Sequence, residues 1–374
     1  MKEGWEYKKI EDCCDILDSY RKPITKSKRV KGLIPYYGAT GLLDYVKDYI
    51  FDESLVLLGE DGAKWGAGEA SAYEISGKTW VNNHAHVLRP HKDKIVNTWL
   101  IYYLNYENLS PYIKGITVPK LNQRSMCSIV IPVPPLSEQQ RIVSYLDAAF
   151  AKIDAVAKNA EEALNEAKAL FQSALTKMME PKEGWKYKKL GEVFTTYSGG
   201  TPLKYHKEYY ESGNIPWLRS GEVCRKYINQ TELFITEKGL NNSSAKYFPV
   251  NTVVVAMYGA TAAQVGILKI KSTSNQAVCG ILPNDNFSPE FIYYWFTFNK
   301  DNLAAQAQGG AQPNISQIKI KNIHFPILPL SDQRHIVSYL DVFKSKVDQL
   351  QSNLTLTLTD CAALKQAILR QTFE

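Results

Sequence analysis

Two tracts of the chain, starting at Ser137 and Ser331, run for over forty residues without a proline or glycine, and their apolar positions step alternately by four and three. That spacing predicts two long helices paired along an apolar seam. In the first, Ile142, Leu146, Ala149, Ile153, Val156, Ala160, Ala163, Ala167, Leu170 and Ala174 fall on the seam; in the second, Ile336, Leu340, Phe343, Val347, Leu350, Leu354, Thr357, Cys361, Leu364 and Ile368 do so. Ser137 and Ser331 are the expected N-caps, and Pro181 the stop for the first helix. At the usual rise per residue each helix would be ~65 Å long, more than closing one small core requires. Packed antiparallel, Ala160 would oppose Leu350, Ala163 Val347, Ala167 Phe343 and Ala174 Ile336, so that small meets large. A parallel register also matches some pairs; the antiparallel one is preferred because domain termini usually lie close together.

Outside these tracts the pattern changes to short β-branched runs such as Ser54 to Leu58 and Thr252 to Met257, set between turns rich in Gly and Asn. This is the pattern of mixed α/β modules. Late in each module an aromatic segment recurs, Ile101 to Leu104 (IYYL) answering Ile292 to Trp295 (IYYW), and is expected to form a core-facing helix.

The recurrence extends over the whole chain. KEGWEYKK at Lys2 to Lys9 returns as KEGWKYKK at Lys182 to Lys189, with seven identities in eight and an offset of 180. Ile129 to Asp147 returns at Ile323 to Asp341 with twelve identities in nineteen and an offset of 194. The repeat therefore divides the chain into 1–180 and 181–374, with variable inner length. The expected organisation is a globular module over 1–133, a helical region over 134–180, a second module over 181–328 and a second helical region over 329–374.

Composition narrows the function classes only slightly. With 374 residues, 45% hydrophobic and 22% charged, the chain has ordinary globular composition. Its most apolar stretch, near Val250 to Leu268, is broken by Gly259, Gln264 and Gly266, so no membrane span is expected. The charged start at Lys2 and Glu3 argues against export, and a cytoplasmic location is expected. Six cysteines show neither CxxC pairs nor regular spacing, which points away from zinc sites and disulfides. A net charge of +6 permits an anionic partner without demanding one. More telling is Arg21 to Lys31, where Arg21, Lys22, Lys26, Lys28, Arg29 and Lys31 make a loop able to meet phosphates, or simply a solvated charged loop.

Catalytic signatures do not emerge. There is no NPPY-like methyltransferase tetrapeptide and no GxxxxGK[ST] phosphate loop. Gly59 to Gly68 fails the dinucleotide pattern and is expected to be a strand-to-loop turn. His84, His86 and His91 bring to mind a metal, yet NNHAHVL supplies no neighbouring carboxylate or thiol, so no metal is expected.

Taken together, PPLSEQQRIVSYLD and LPLSDQRHIVSYLD with their heptad tails, the KEGW openings, IPWLRSGEV, TELFITEKGLNNSSAKYFP and VVVAMYGATAAQVGIL resemble the specificity subunits of type I restriction-modification enzymes. The resemblance covers the whole chain. It implies two homologous α/β (α+β) target-recognition domains joined by two long helices in an antiparallel coiled coil with pseudo-twofold symmetry. It also implies a non-catalytic chain that reads a split asymmetric site in double-stranded DNA. The helices would set the spacing and dock two modification subunits, with restriction subunits joining for cleavage. S-adenosylmethionine, and ATP with Mg, would belong to those partners rather than to this chain.

Base readout uses Arg or Lys for guanine and Asn or Gln for adenine, held on loops. In the first module the candidates are Tyr36, Tyr37, Lys64, Trp65, Asn82, Asn83, His84, Lys120, Asn122, Gln123 and Arg124. In the second they are Arg219, Ser220, Glu222, Arg225, Lys226, Ser243, Ser244, Lys246, Tyr258, Gln264, Asn275, Gln276, Gln308, Gln312 and Asn314. Asn83-His84-Ala85 is expected to correspond to Asn275-Gln276-Ala277 as a shared reading loop. Leu146, Ile153, Val156, Leu170, Leu340, Phe343, Val347, Leu350, Leu354, Leu364 and Ile368 are the expected helix-pair and partner interface. Two rivals stand beside this reading. A coiled-coil adaptor that binds only proteins would show no salt-dependent DNA affinity. An enzyme of unfamiliar type would turn over without partners.

Overall fold

The structure, a computed structural model, describes residue 2 and residues 4–115, 117–305 and 314–374. These form two units, the first made of Met1–Glu162 with Leu354–Glu374 and the second of Ala163–Asn353. Two 44-residue helices, Leu136–Met179 and Leu330–Phe373, each contribute to both units. The first unit receives the start of the first helix and the end of the second; the second unit receives the reverse. This is the antiparallel arrangement expected from the closeness of domain termini, but Val156, Leu170, Leu350 and Leu364 of the expected seam are exposed, so Leu350 is not packed away opposite Ala160. In the first unit Leu146, Phe150 and Ile153 share a core with Leu369 and Phe373, and Lys365 bonds Asp154 at 2.5 Å. In the second, Leu175 and Met179 share a core with Ile336 and Leu340, and Lys344 lies 5.5 Å from the Phe171 ring.

Both helices begin one residue earlier than their serines, so Ser137 and Ser331 lie inside the first turn and are not caps. The entering proline supplies the cap instead: Pro135 O accepts from Glu138 N and Gln139 N, and Pro329 O from Asp332 N and Gln333 N. Proline has no N–H to satisfy and its fixed φ suits a helix start.

Each unit opens on a two-stranded antiparallel ribbon, Glu6–Lys9 on Val130–Val133 and Lys186–Lys189 on His324–Ile327. The two segments that repeat best in sequence are thus ribbon partners in space. In the first unit one sheet is ordered Cys14–Ile16, Ala85–Pro90, Leu55–Gly59, Ala72–Ile75 and a second Gly41–Val46, Ile34–Gly38, Lys78–Val81, Phe51–Asp52. The second unit follows the same plan with Thr196–Ser198, Val278–Ile281, Val253–Ala256, Val265–Leu268 in one sheet and Leu233–Ile235, Ile215–Leu218, Thr273–Ser274 in the other. It adds Tyr227–Ile228 as an edge strand, parallel to Val265–Leu268. The central strands Leu55–Gly59 and Val253–Ala256 are buried throughout, which explains their unbroken apolar runs.

The aromatic helices are Asn97–Tyr106 and Pro289–Phe298. Their bounds differ by 192, so the IYYL and IYYW strings, 191 apart, match one residue out of structural register. Function follows the structural register: Tyr102 donates to Asp147, and Tyr294 to Asp341. A buried glutamine then ties each aromatic helix to a long one. Gln139 Oε1 accepts from Val96 N at 2.9 Å while Nε2 donates to Lys94 O and Pro134 O. Gln333 does the same with Ser288 N, Asn286 O and Leu328 O. Both glutamines are fully buried. Among the described residues, no helix is long and apolar enough to cross a membrane.

Candidate nucleic-acid interface

At one edge of each unit three chain segments converge: the end of the central strand, the turn before its neighbour, and the short stretch leading into a five-residue helix. In the first unit Glu60 N donates to His84 O, Leu121 N to Glu60 O, and Asp61 bridges Lys120. In the second, Met257 N donates to Ala277 O, Ile315 N to Met257 O, and Tyr258 bridges Asn314. The match equates Glu60 with Met257, Asp61 with Tyr258, His84 with Ala277 and Lys120 with Asn314.

This register corrects the expected loop equivalence by one residue. Asn82-Asn83-His84, not Asn83-His84-Ala85, corresponds to Asn275-Gln276-Ala277. Asn82 Oδ1 accepts from His84 N at 2.8 Å and Asn275 Oδ1 from Ala277 N at 3.2 Å, the same side-chain turn in both units. Both asparagines are therefore occupied in shaping the backbone, and Asn82 is buried. The residues that project are Asn83 and His84 in one unit and Gln276 in the other, all exposed.

Other candidates turn out to be buried or engaged by neighbouring groups. Tyr36 is buried beneath the Arg29 guanidinium, and its hydroxyl accepts from Ile24 N. Its register partner in the second unit is Trp217, likewise buried. Trp65 donates to Gly59 O inside the first unit, which makes Gly59 to Gly68 the expected strand-to-loop turn. Tyr37 is half-buried, its carbonyl accepting from Asn82 N. Lys226 sits among the Tyr227, Tyr293 and Tyr294 rings and pairs with Asp341, a site too enclosed for reading. Asn122 caps its short helix by accepting from Ser125 N, as Ser316 does from Lys319 N. Arg219 is held by Glu222 and Glu232. Glu222 in turn accepts from Arg219 N and Glu232 N, closing the loop that also carries Ser220. Ser243 accepts from Ala245 N and Gln264 is half-buried in a turn, whereas Ser244, although it abuts Gly200, stays exposed.

Exposed at or near the edges are Lys64, Gln123 and Arg124 in the first unit and Arg225, Lys246, Tyr258 and Asn314 in the second. Gln308 and Gln312 lie outside the described residues. In the second unit the edge opens into a cavity of about 540 Å³ lined by Lys204, Lys207, Arg219, Asn275 and Gln276 over Tyr210 and Trp217. Lys204 and Lys207 escaped the sequence reading although they lie in a basic, tyrosine-bearing loop.

Beneath the first edge lies a network that spacing alone hid. Arg21 joins Asp18, Glu60 and Ala85 O; Lys120 reaches Glu60 Oε1 at 2.8 Å; His86 Nδ1 meets Asp18 Oδ2 at 2.5 Å and Nε2 meets Leu121 O at 2.7 Å. Burial raises the Glu60 carboxyl, but hydrogen bonds from Lys120 and Arg21 and the nearby His86 outweigh it, leaving a net lowering. Asp18, Glu60 and His86 place ligand atoms within 4.8 Å of one another, the spacing of a metal site. Arg21 and Lys120 already supply the positive charge there, so the cluster is a neutralised ion network. The expectation that these histidines lack carboxylate partners is overturned: His84 pairs with Asp61, His86 with Asp18 and His91 with Asp15. Each partner comes from a distant part of the chain.

Comparison with known proteins agrees with this architecture. The family model described as the type I restriction modification DNA specificity domain matches residues 2–166 and again 182–359. A putative type I restriction enzyme specificity subunit of Haemophilus influenzae is 28% identical over 365 residues, covering 94% of this chain and 91% of that one. Among solved structures, a chain from a study of complex assembly and conformational transition of the type I R-M system superposes with a TM-score of 0.77 at 17% identity, covering 100% and 98% of the two chains. The HsdS subunit of Thermoanaerobacter tengcongensis does so with a TM-score of 0.59 at 18% identity, covering 100% and 97%. With two copies of the domain spanning most of its length, the chain belongs to the family of type I restriction-modification DNA specificity subunits.

Proposed function

We infer that each converging edge reads one part of a split DNA site, while the long helices fix the gap and present the surface on which modification subunits dock. The observation that carries this reading is that both units build the same three-segment edge on the same backbone bonds but fill it with different side chains: Asp61, Asn83, His84 and Lys120 in one, Tyr258, Gln276 and Asn314 in the other. A common frame with divergent edges gives an asymmetric target with fixed spacing. In this reading S-adenosylmethionine, and ATP with Mg for cleavage, act on the partner subunits.

The helices support the docking half of the reading. Tyr145 and Tyr339, Val156 and Leu350, Leu170 and Leu364 are pairs separated by the repeat offset, and every member is about half exposed. Equivalent apolar exposure on both helices supports the reading of a surface used twice, as two copies of one partner would require.

The test is methylome sequencing of DNA exposed to the chain with its modification subunit. Gln276→Ala should relax one position in the second half of the motif, a loss of about 1–3 kcal/mol in discrimination. It should leave the first half and the gap unchanged. An unaltered motif would remove Gln276 from the readers. A soluble complex that produces no motif even with the unmutated chain would favour the protein-only adaptor.

A further inference from the structure

One apolar feature of the first edge is not absorbed by polar readout. The Ile34–Gly38 and Gly41–Val46 strands form a hairpin in which Tyr36 opposes Asp44 while Tyr37 opposes Leu42, so Leu43 is an extra residue, a bulge. Leu42 is 48% exposed and Leu43 50%. Two adjacent leucines so exposed on a short strand stand against the alternation of faces, because the bulge interrupts it.

Their position is on the edge itself. A Cβ added to Gly38 would meet Leu43 Cδ1 at 2.5 Å and Asn82 Nδ2 at 3.0 Å, so Leu43 fills the space over Gly38 beside the turn that carries Asn83 and His84. The tip residue Ala39 reaches the end of the central strand, where its carbonyl lies 3.1 Å from the Cβ position of Gly59. The surroundings are cationic. Lys22, Lys26, Lys28, Lys31 and Lys47 are exposed on the segments flanking the hairpin, whereas Arg21 is held by the buried Glu60 and Arg29 by Asp44 of the hairpin itself. An apolar pair on a hairpin whose flanking segments carry exposed lysines suits a polyanion whose interior offers apolar groups, and duplex DNA offers them as thymine methyls in the major groove.

The second unit differs at the same place. Ile34-Pro35-Tyr36-Tyr37-Gly38 corresponds to Ile215-Pro216-Trp217-Leu218-Arg219, since Asn82 N bonds Tyr37 O as Asn275 N bonds Leu218 O. Where the first unit turns at once into Gly41–Val46, the second inserts the Arg219 loop with its Glu222 and Glu232 ion pairs before Leu233–Ile235. The first edge presents the bulged pair Leu42 and Leu43, the second the charged loop with Leu233 and Phe234 exposed just after it.

We propose that Leu42 and Leu43 contact thymine methyl groups in the first half of the DNA site and so help specify a T·A pair there. This rests on the reading that the first edge meets DNA. The experiment uses the full chain in complex with its modification subunit and compares the methylome motif of the unmutated protein with that of Leu42→Ala/Leu43→Ala. Both leucines are exposed, so the variant keeps its fold; Leu33→Ala, 91% exposed on the preceding residue stretch, serves as the control. The expected result is roughly tenfold weaker discrimination at one T·A position of the first half, the lower end of a base contact. The second half stays unchanged. Replacing that thymine by uracil, which lacks only the methyl, should weaken methylation by the unmutated complex and leave the double variant indifferent.

A motif unchanged in both halves, with no uracil effect, overturns the proposal while leaving the edge reading intact. Loss of complex assembly by the double variant also overturns it, because the leucines would then be a protein contact. If Asn83→Ala, His84→Ala and the leucine variant all spare the first half, the edge reading itself fails.

Discussion

The two units hold themselves together alike and present themselves differently. Gln139 and Gln333 each bond one N–H and two carbonyls at positions that correspond residue for residue, and the opening ribbons pair in the same register. At the edges the correspondence is of backbone and of the turn asparagines Asn82 and Asn275, not of the projecting side chains. Asp18, Arg21, Glu60, His86 and Lys120 are answered by Ser198, Thr201, Met257, Cys279 and Asn314, so a buried ion network faces a neutral site. Cys279 is an inert member of that site, its thiol pushed up to about 12 by burial. The contrast teaches where divergence is cheap: a glutamine bonded to main-chain groups has invariant partners, whereas strand ends project side chains from a backbone already satisfied.

The strongest test of the shared frame is Gln139→Leu against Gln333→Leu. Each leaves a buried N–H and two carbonyls without a partner, and each should cost about 3–5 kcal/mol, summing the penalty of orphaned groups. Hydrogen exchange resolved by unit, alongside urea unfolding, would show the loss confined to the unit that carries the change. Equal losses support a common frame. A loss at only one position would mean that the identical bonds do unequal work.

The edges can be separated by pH. Because the folded Glu60 carboxyl lies below its ordinary value of 4.5, its contribution is present above that value and is lost as pH falls through the lowered one. Glu60→Gln removes it at every pH, at a cost of about 2–3 kcal/mol near neutrality for unpairing Arg21 and Lys120. The unmutated protein and the variant should therefore converge in stability on acidification below 4.5, with the change seen in the first unit. Parallel curves with a constant gap would show that the network does not draw its stability from the carboxylate.

A smaller effect distinguishes two neighbours that the sequence groups together. Lys226→Met should cost about 1–2 kcal/mol by emptying the tyrosine cage, without changing the motif. Arg225→Ala, on an exposed side chain, should leave stability within about 0.5 kcal/mol and lower DNA affinity with a reduced salt slope. Reversed outcomes would place Lys226 among the readers after all.

What the sequence made legible was whatever recurs with a period. Long helices and the two-module plan follow from heptad spacing and repeat offsets, because burial imposes those periods, while antiparallel pairing follows from the expected closeness of domain termini. Placement at the edges was not legible to the same depth. A one-residue error separated IYYL from its true counterpart, and another separated Asn83 from Asn82, since identical short strings attract alignment while bulges and unequal loops set the real register. Asn82, Asn275 and Lys226 are of the right type for DNA contact yet serve the backbone or a tyrosine cage, and no local pattern tells those uses apart. The Asp18, Glu60 and His86 network joins residues that are far apart in sequence, and only folding brings them within reach.

The smallest effect on stability carries the sharpest question about the helices. Val347 and Leu350 both fall on the predicted seam, but Val347 is buried and Leu350 is 42% exposed. Val347→Ala should cost about 2 kcal/mol for lost burial and the space left behind. Leu350→Ala should stay within about 0.5 kcal/mol, as for other exposed positions. If exposed seam residues serve partners, Leu350→Ala combined with its equivalent Val156→Ala should weaken capture of the modification subunit while circular dichroism and thermal midpoint hold. A drop in stability as large as that of Val347→Ala would instead put Leu350 inside the helix pair. The repeated exposure of Val156 and Leu350 would then record packing within the chain, and the docking surface would have to be sought on the modules.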